Sequence, residues 1–334
     1  MNRPLLSVVV IGRNEGDRLV RCLQSIVSAR MMPENTELIY IDSGSTDGSP
    51  ERAVALGARV IVLGAGRLSA ARARNAGWRS AEARFILFLD GDTILDPDFV
   101  HRGMKEFGDP QVAVVWGHRR ELCPGASAYN RIVDLDWIAR PGLSDFCGGD
   151  SLMRREALEQ TNGFDPDLIA GEEPDLCRRI REKGGQILHI DVPMTGHDIA
   201  LLRFGQYWRR AVRTGFAYAE VAARYRNTAD PLWWKESRGN RLRGSLYLLT
   251  CAATFVASAL LHSWLPLIAL TLCGCGLAVR TALSSRWKGA SWPTLLLFGI
   301  HSHAQHVPIL QGQLLYSWGR WRGQRRGLIE YKSS

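Results

Sequence analysis

Residues 85–93 read FILFLDGDT, and the fold is decided there. The first five are continuously apolar, as suits a strand covered on both faces. The stretch then ends on two aspartates one residue apart, Asp90 and Asp92, around Gly91. In an extended segment residues i and i+2 point to the same side, so both carboxylates can be offered to one point while the glycine admits a ligand close to the backbone. Two readings fit these residues. Hard oxygen donors suit Mg2+ or Mn2+; an Asp-Gly pair is equally a favoured turn that holds no metal.

Upstream, residues 7–11 form a β-branched apolar run, and residues 17–29 place Leu19, Leu23, Ile26 and Val27 at helical spacing. Strands at 37–41 and 58–63 and helices at 47–56 and 69–80 complete an alternation that predicts an α/β chain, a mostly parallel sheet covered on both faces. Ligands of such sheets bind beyond the carboxyl ends of the strands. Asn14-Glu15, Asp42-Ser43-Gly44-Ser45 and Asp90-Gly91-Asp92 all follow predicted strands and therefore share one rim. Strands at 112–116 and 186–190, with helices at 156–161 and 174–183, carry this domain to about residue 200.

The remainder differs in character. Residues 201–224 predict a helix with Tyr207, Trp208, Ala211, Gly215, Tyr218 and Ala222 on one side and Arg203, Arg209, Arg210 and Arg213 elsewhere, the pattern of an interfacial helix within an amphipathic stretch 201–245. Residues 246–279 contain no Asp, Glu, Lys or Arg, and only His262-Ser263-Trp264 and Pro266 interrupt them. A spanning helix takes about 20 apolar residues, so this run is long for one and short for two. Arg238, Arg241 and Arg243 before it and Arg280, Arg286 and Lys288 after it place both ends on the cytoplasmic side. A tight hairpin or a re-entrant pair satisfies that; a buried helical pair of a soluble domain is the alternative. Residues 292–318, with His301, His303 and His306, read as a membrane-surface element, which makes 246–334 a membrane-associated helical region ending in a basic tail.

Composition agrees. With 46% hydrophobic and 22% charged residues the chain is neither disordered nor a disulfide scaffold. The formal net charge of +9 is uneven, acids lying before residue 200 and arginines such as Arg320, Arg322, Arg325 and Arg326 near the end. Such asymmetry calls for an anionic neighbour. Because the basic residues flank apolar segments, a membrane surface fits better than nucleic acid. The seven cysteines include no CxxC pair, which favours reduced thiols over disulfides or a zinc knuckle. Residues 5–11 are too short for the apolar core of a signal peptide, so no cleavable signal is expected.

Two further clusters carry polar chemistry. In DSGSTDG, residues 42–48, Asp47 or Thr46 suits a helix N-cap, while Asp42 is spare for a ligand. Gly171-Glu172-Glu173-Pro174-Asp175 opens a helix with proline in its first turn. Acids there complement the helix dipole by about 0.3 to 1 kcal/mol each, which accounts for one acid better than for three.

In sequence order, VVVIGRNEGDRLVRCLQSI, YIDSGSTDGS, ARARNAG, ILFLDGDTILDPDFV, GGDSLMRREALEQTNGFDPDLIAGEEPDLCRRIREKGG and QYWRR resemble the family 2 glycosyltransferases over residues 5 to about 215. The resemblance implies the GT-A nucleotide-diphospho-sugar transferase fold, followed here by the C-terminal helical membrane-associated region. It implies that Asp42 contacts the nucleobase, that Asp90 binds the ribose side, and that Asp92 holds Mn2+ or Mg2+ against the donor diphosphate. His197, in MTGHD, matches a late metal ligand or is a structural histidine. The family's usual Glu-Asp is Glu172-Glu173 here, so the catalytic base is Glu173, one methylene longer than usual, with Glu172 as its understudy. Arg74 and Asn75 match the family's ARN and either touch donor phosphate or face solvent. Gln206, Arg209 and Arg210 resemble part of the Gln-x-x-Arg-Trp of processive relatives, with Arg210 in place of the tryptophan; guanidinium forks there suit diphosphate oxygens. Gly148, Gly149 and Asp150 lie where relatives form the acceptor and sugar side of the pocket, or make a plain turn.

The implied function is an inverting, metal-dependent glycosyltransferase using a nucleotide-sugar donor and a lipid-linked or membrane-proximal acceptor at the cytoplasmic face of the cell membrane. A nucleotidyltransferase would need a Gly/Lys-rich phosphate loop, which Gly12-Arg13-Asn14 does not supply. A non-catalytic nucleotide-binding membrane adaptor would not need Asp90, Asp92 and the 171–175 acids together.

Overall fold

The computed structural model describes residues 3–323 apart from Ala65 and Arg67. The chain divides into two compact units, residues 1–122 with 137–199, and residues 123–136 with 200–334.

The first unit is α/β. In chain order it contains β1 (Leu6–Gly12), α1 (Asp17–Val27), β2 (Glu37–Asp42), α2 (Ser49–Ala55), β3 (Arg59–Val62), α3 (Ala70–Ser80), β4 (Phe85–Asp90), β5 (Thr93–Leu95), α4 (Phe99–Glu106) and β6 (Val112–Glu121). After α5 (Ala128–Trp137), most of which belongs to the other unit, follow β7 (Gly142–Leu143), β8 (Ser151–Arg154), α6 (Arg155–Thr161), α7 (Glu172–Glu182) and β9 (Gln186–His197). The nine-stranded sheet runs β3-β2-β1-β4-β8-β6-β9-β5, with β7 also on β9. β1, β2, β3, β4, β6 and β9 point one way and β5, β7 and β8 the other, a mostly parallel sheet.

Alternation explains the unbroken apolar strands. Val8 and Val10 join the core formed with Leu19, Cys22, Leu23 and Ile26 of α1, whereas Val9 and Ile11 join the opposite core, which includes Ala71, Ala73 and Trp78 of α3 and Leu176, Cys177 and Ile180 of α7. Each strand residue thus loses water on one face or the other, and truncating any large one leaves a cavity costing about 2 to 5 kcal/mol. Register sets Gly12 beside Asp42 and Ile11 beside Asp90, so the strand ends form one edge.

The sheet is larger than the sequence indicates. β6 and β9 extend past the expected ends at 116 and 190, pairing in parallel through three register irregularities as far as Glu121 beside His197. β5, β7 and β8 have three, two and four residues, too few to show a period, and form because neighbouring strands supply their hydrogen-bond partners.

The second unit is helical: besides α5 it contains α8 (Phe204–Tyr225), α9 (Trp234–Leu260), α10 (Leu265–Ser284), α11 (Trp292–Ala304) and α12 (His306–Trp321). Residues 246–279 form the end of α9, a turn and most of α10. Both helices are long and apolar enough to cross a membrane, and their most apolar windows are 6% and 11% buried. Residues 292–318, expected as a membrane-surface element, form two helices, and His306, Pro308, Ile309, Leu310, Gly312 and Gln313 of α12 are buried. Small residues permit this. A methyl at Gly312 would meet the Val212 carbonyl at 2.0 Å, one at Gly215 the Ile309 carbonyl at 2.0 Å, and one at Gly244 the His306 carbonyl at 2.6 Å, so α12 packs backbone-close on α8 and α9. Arg325 and Arg326 of the basic tail lie outside the described residues.

Candidate active site

β4 delivers Asp90 at its end, and Asp92 precedes β5. β5 pairs antiparallel with β9, setting Thr93 opposite His197, and the Asp198 N–H donates to the Asp92 carbonyl at 2.9 Å. His197 Nε2 consequently lies 3.4 Å from Asp92 Oδ1. Asp90, Asp92 and His197 each offer one ligand atom, all within 4.8 Å of one another, Asp92 and His197 being buried and Asp90 half-buried. Two carboxylates with one imidazole at the mouth of the sheet fit a small divalent cation such as Mn2+ or Mg2+ that completes its shell from water or phosphate.

Next to this cluster is a buried ionic hub. Arg74, on α3, is 2% exposed. Its Nη2 lies 2.9 Å from Asp90 Oδ1, and its Nη1 lies 2.9 Å from Glu173 Oε1 and 3.2 Å from Glu172 Oε1. Burial pulls the guanidinium pKa down, but Glu173, Asp90 and Glu172 outweigh it and leave Arg74 above its ordinary value. Both glutamates open α7, behind Gly171 in the left-handed conformation (φ +85°). The third acid, Asp175, pairs with Arg179 on the same helix through Nε and Nη2 at 3.0 and 2.7 Å. The three acids are thus placed differently. Asp175 faces its own helix, Glu172 is buried, and Glu173 keeps a side chain 17% exposed.

Gly148, Gly149 and Asp150 join the two halves. Asp150 is buried, its Oδ1 accepting the Asp90 N–H at 3.0 Å and its Oδ2 the Thr195 hydroxyl at 2.7 Å. Burial and the Asp90 charge push its pKa up to about 7, against the pull of Arg119 and those hydrogen bonds. A methyl on Gly149 would stand 2.5 Å from Arg74 Nη2 and 3.1 Å from Asp90 Oδ2, and one on Gly148 would stand 3.2 Å from the Arg119 guanidinium. Just before them, the Cys147 thiol lies 3.5 Å from that of Cys177 on α7; all seven cysteines are free of disulfides.

Other expected residues are engaged elsewhere. The Asp42 carboxylate is fully buried: Oδ1 accepts from the Tyr40 hydroxyl at 3.0 Å, and Oδ2 accepts the N–H groups of Gly44 and Ser45 at 2.9 and 2.8 Å, so in this state it shapes its loop. Burial and that carboxylate raise the Tyr40 pKa. Asn75 donates to the Phe164 carbonyl and accepts from the Phe164 N–H and Trp78 Nε1, which fastens α3 to the segment after α6. Gln206, Arg209 and Arg210 lie on α8 of the helical unit. There Gln206 Oε1 accepts the N–H groups of Leu202 and Arg203 as a helix cap, and Arg209 Nε donates to the Gly205 carbonyl. Sequence reasoning overlooked Thr195, Arg119 and Trp137, whose ring lies 4.5 Å from the Arg119 guanidinium and 5.0 Å from the His197 ring. The β6–β9 register, which pairs Arg119 with Thr195, reveals the first two, and the end of α5 brings in Trp137.

The model of glycosyl transferase family group 2 matches residues 85–283, and that of glycosyl transferase family 2 matches residues 7–161. The chain belongs to the family 2 glycosyltransferases. Among curated relatives, this glycosyltransferase is 22% identical to glycosyltransferase AglE of Haloferax volcanii over 65% of its own length and 74% of that protein. It is 26% identical to the pre-mycofactocin glycosyltransferase of Mycobacterium tuberculosis over 77% of its own length and 60% of that protein. In fold it is similar to a mannosyltransferase of Pyrobaculum calidifontis, PcManGT, solved with GDP-Man and Mn2+, with a TM-score of 0.69 at 19% identity over 96% of this chain and 89% of that one. TarS of S. aureus, residues 1–349, follows with a TM-score of 0.52 at 11% identity over 96% and 92%. The fold is thus GT-A.

Proposed function

We propose that this glycosyltransferase moves a sugar, with inversion, from a nucleotide-sugar donor to a lipid-linked or membrane-proximal acceptor at the cytoplasmic face of the membrane, and that it depends on a divalent cation held by Asp90, Asp92 and His197. The observation that carries the reading is the meeting of those three residues with the glutamates that open α7. A bound cation would neutralise the charge that develops on the leaving diphosphate oxygens. Glu173, the more exposed glutamate, takes the acceptor hydroxyl proton as the new C–O bond forms and the sugar–phosphate bond breaks. A single displacement with no protein nucleophile inverts the anomeric centre. Asp42 and Asp90 serve the nucleoside side and Gly148 to Asp150 the sugar side. The nucleotide sugar and Mn2+ in the PcManGT complex support the donor and the cation, and the apolar, sparsely buried α9 and α10 support the membrane.

Release of nucleoside diphosphate from a panel of donors, with Mn2+ or Mg2+, in detergent with extracted lipids, tests this. Asp92→Asn is expected to lose turnover and metal response together, and Glu173→Gln to keep donor binding but lose transfer. Full activity of Glu173→Gln beside an inactive Glu172→Gln would move the base to the neighbouring residue.

A further inference from the structure

We infer that Arg74 is a positioning residue, a buried cationic clamp that holds Asp90 of the cation cluster and Glu173 of the base side at one spacing, and that Gly149 is glycine to leave it room. This deepens the function proposed above and rests on it.

Three separate pieces of chain meet on one guanidinium: α3, which carries it, the end of β4, and the head of α7, whose Glu172 lies 98 residues from Arg74 in sequence. At 2% exposure, no substrate phosphate reaches this guanidinium without displacing a carboxylate. Its planar fork serves carboxylates on both terminal nitrogens, which a lysine ammonium on a flexible stem cannot do with fixed geometry. The Phe164 ring, 5.6 Å from the guanidinium carbon, closes one side. On another, a methyl at Gly149 would fall 2.5 Å from Nη2 and 3.3 Å from Glu173 Oε1, a collision with the clamp itself. Charge points the same way: one arginine among Asp90, Glu172 and Glu173 leaves that group net negative. Arg74 therefore tempers the pull on a divalent cation while fixing where the base stands.

The test uses the full chain in detergent. In Arg74→Lys, kcat is expected to fall about 100-fold, the scale of a misplacement of about 1 Å, while donor KM stays within about twofold. A tenfold rise in donor KM with kcat intact would make Arg74 a donor ligand and overturn the clamp. Gly149→Ala is expected to give the same kcat loss, and the double variant no more than either single; losses that multiply would show independent roles and overturn the proposal. Mn2+ binding without donor supplies a readout apart from activity. Arg74→Met is expected to bind Mn2+ several-fold more tightly, because a positive neighbour of Asp90 is gone, whereas weaker binding in a variant that melts like wild type contradicts the clamp. If Arg74→Met does not fold, Arg74→Lys carries this arm, with unchanged Mn2+ affinity expected and a tenfold loss contradicting it. Should wild type turn over no donor, the proposed function fails, and the Mn2+ titrations still decide the clamp.

Discussion

The two units bury polar groups in opposite ways. The α/β unit puts formal charges inside, with Arg74 among Asp90, Glu172 and Glu173 and with Asp150 behind Asp90. The helical unit buries Asp134 but otherwise mostly neutral groups: the Tyr207 hydroxyl and His301 Nδ1 share a hydrogen bond of 2.7 Å, and Gln313 Nε2 donates to the Ser237 carbonyl at 2.8 Å. Buried ions bring a desolvation cost that stability alone rarely justifies, and removing one partner costs about 3 to 5 kcal/mol. Their concentration beside the strand ends marks the place where the protein handles charge. The helical unit shows no such concentration among its described residues, and its packing relies on small residues and a bare apolar exterior.

The sharpest way to break this contrast is to alter one charge. Asp92→Asn is expected to lower kcat about 1,000-fold, the few kcal/mol that a cation contributes to charge stabilisation, and to abolish the response to added Mn2+. Steady-state kinetics against Mn2+ check this; an unchanged metal response would show that the buried charges serve structure alone. In the helical unit the corresponding blow is steric. Gly312→Leu drives a side chain into the Val212 backbone and is expected to destabilise that unit by about 3 kcal/mol or more, while Mn2+ still binds. Thermal melts beside Mn2+ titration separate the two effects.

A third test concerns the exterior of the helical unit. Leu249 on α9 is 68% exposed. Leu249→Arg removes no core contact, so melting in detergent is expected to change little, while insertion becomes less favourable by about 3 kcal/mol. Carbonate extraction of membranes should release more of the variant; equal retention would remove α9 from the membrane reading. The smallest effect involves a buried neutral group inside the charged unit. The His189 ring stacks on Trp116 at 3.9 Å, its Nδ1 lies 2.9 Å from the Arg140 carbonyl, and His118, itself paired with Asp191, stands edge-on at 4.9 Å. Burial lowers the His189 pKa below the usual 6.5. The unfolded chain then takes the proton first, so this contribution to stability is complete above about pH 6.5 and is lost as pH falls through the lower folded value. His189→Gln is expected to flatten the decline in melting temperature between about pH 7 and pH 5.

Much of the fold was readable because it rests on local rules. Val8 to Ile11 alternate between two cores, Leu19, Leu23 and Ile26 repeat at helical spacing, and each strand end carries its polar cluster within a few residues. The same locality exposed Asp90, Asp92 and the acids at 172–175. It could not show how Asp42 would be used, because a carboxylate that can meet a base can also close its own turn on Gly44 and Ser45. Nor could it separate a phosphate-binding Arg74 from one enclosed by acids.

By itself, then, the sequence determined the alternating α/β order, the common rim of the strand ends, the acids on it and the long uncharged stretch that follows. Only the tertiary structure decided that His197 comes to stand beside Asp92, that Asp150 bridges Asp90, 60 residues before it, to Thr195, 45 residues after it, and that one buried guanidinium joins three carboxylates. Periodicity reports which side of an element loses water, a property of neighbouring residues. Which distant carboxylate a side chain meets depends on strand order and register, which are set by the packing of the whole sheet.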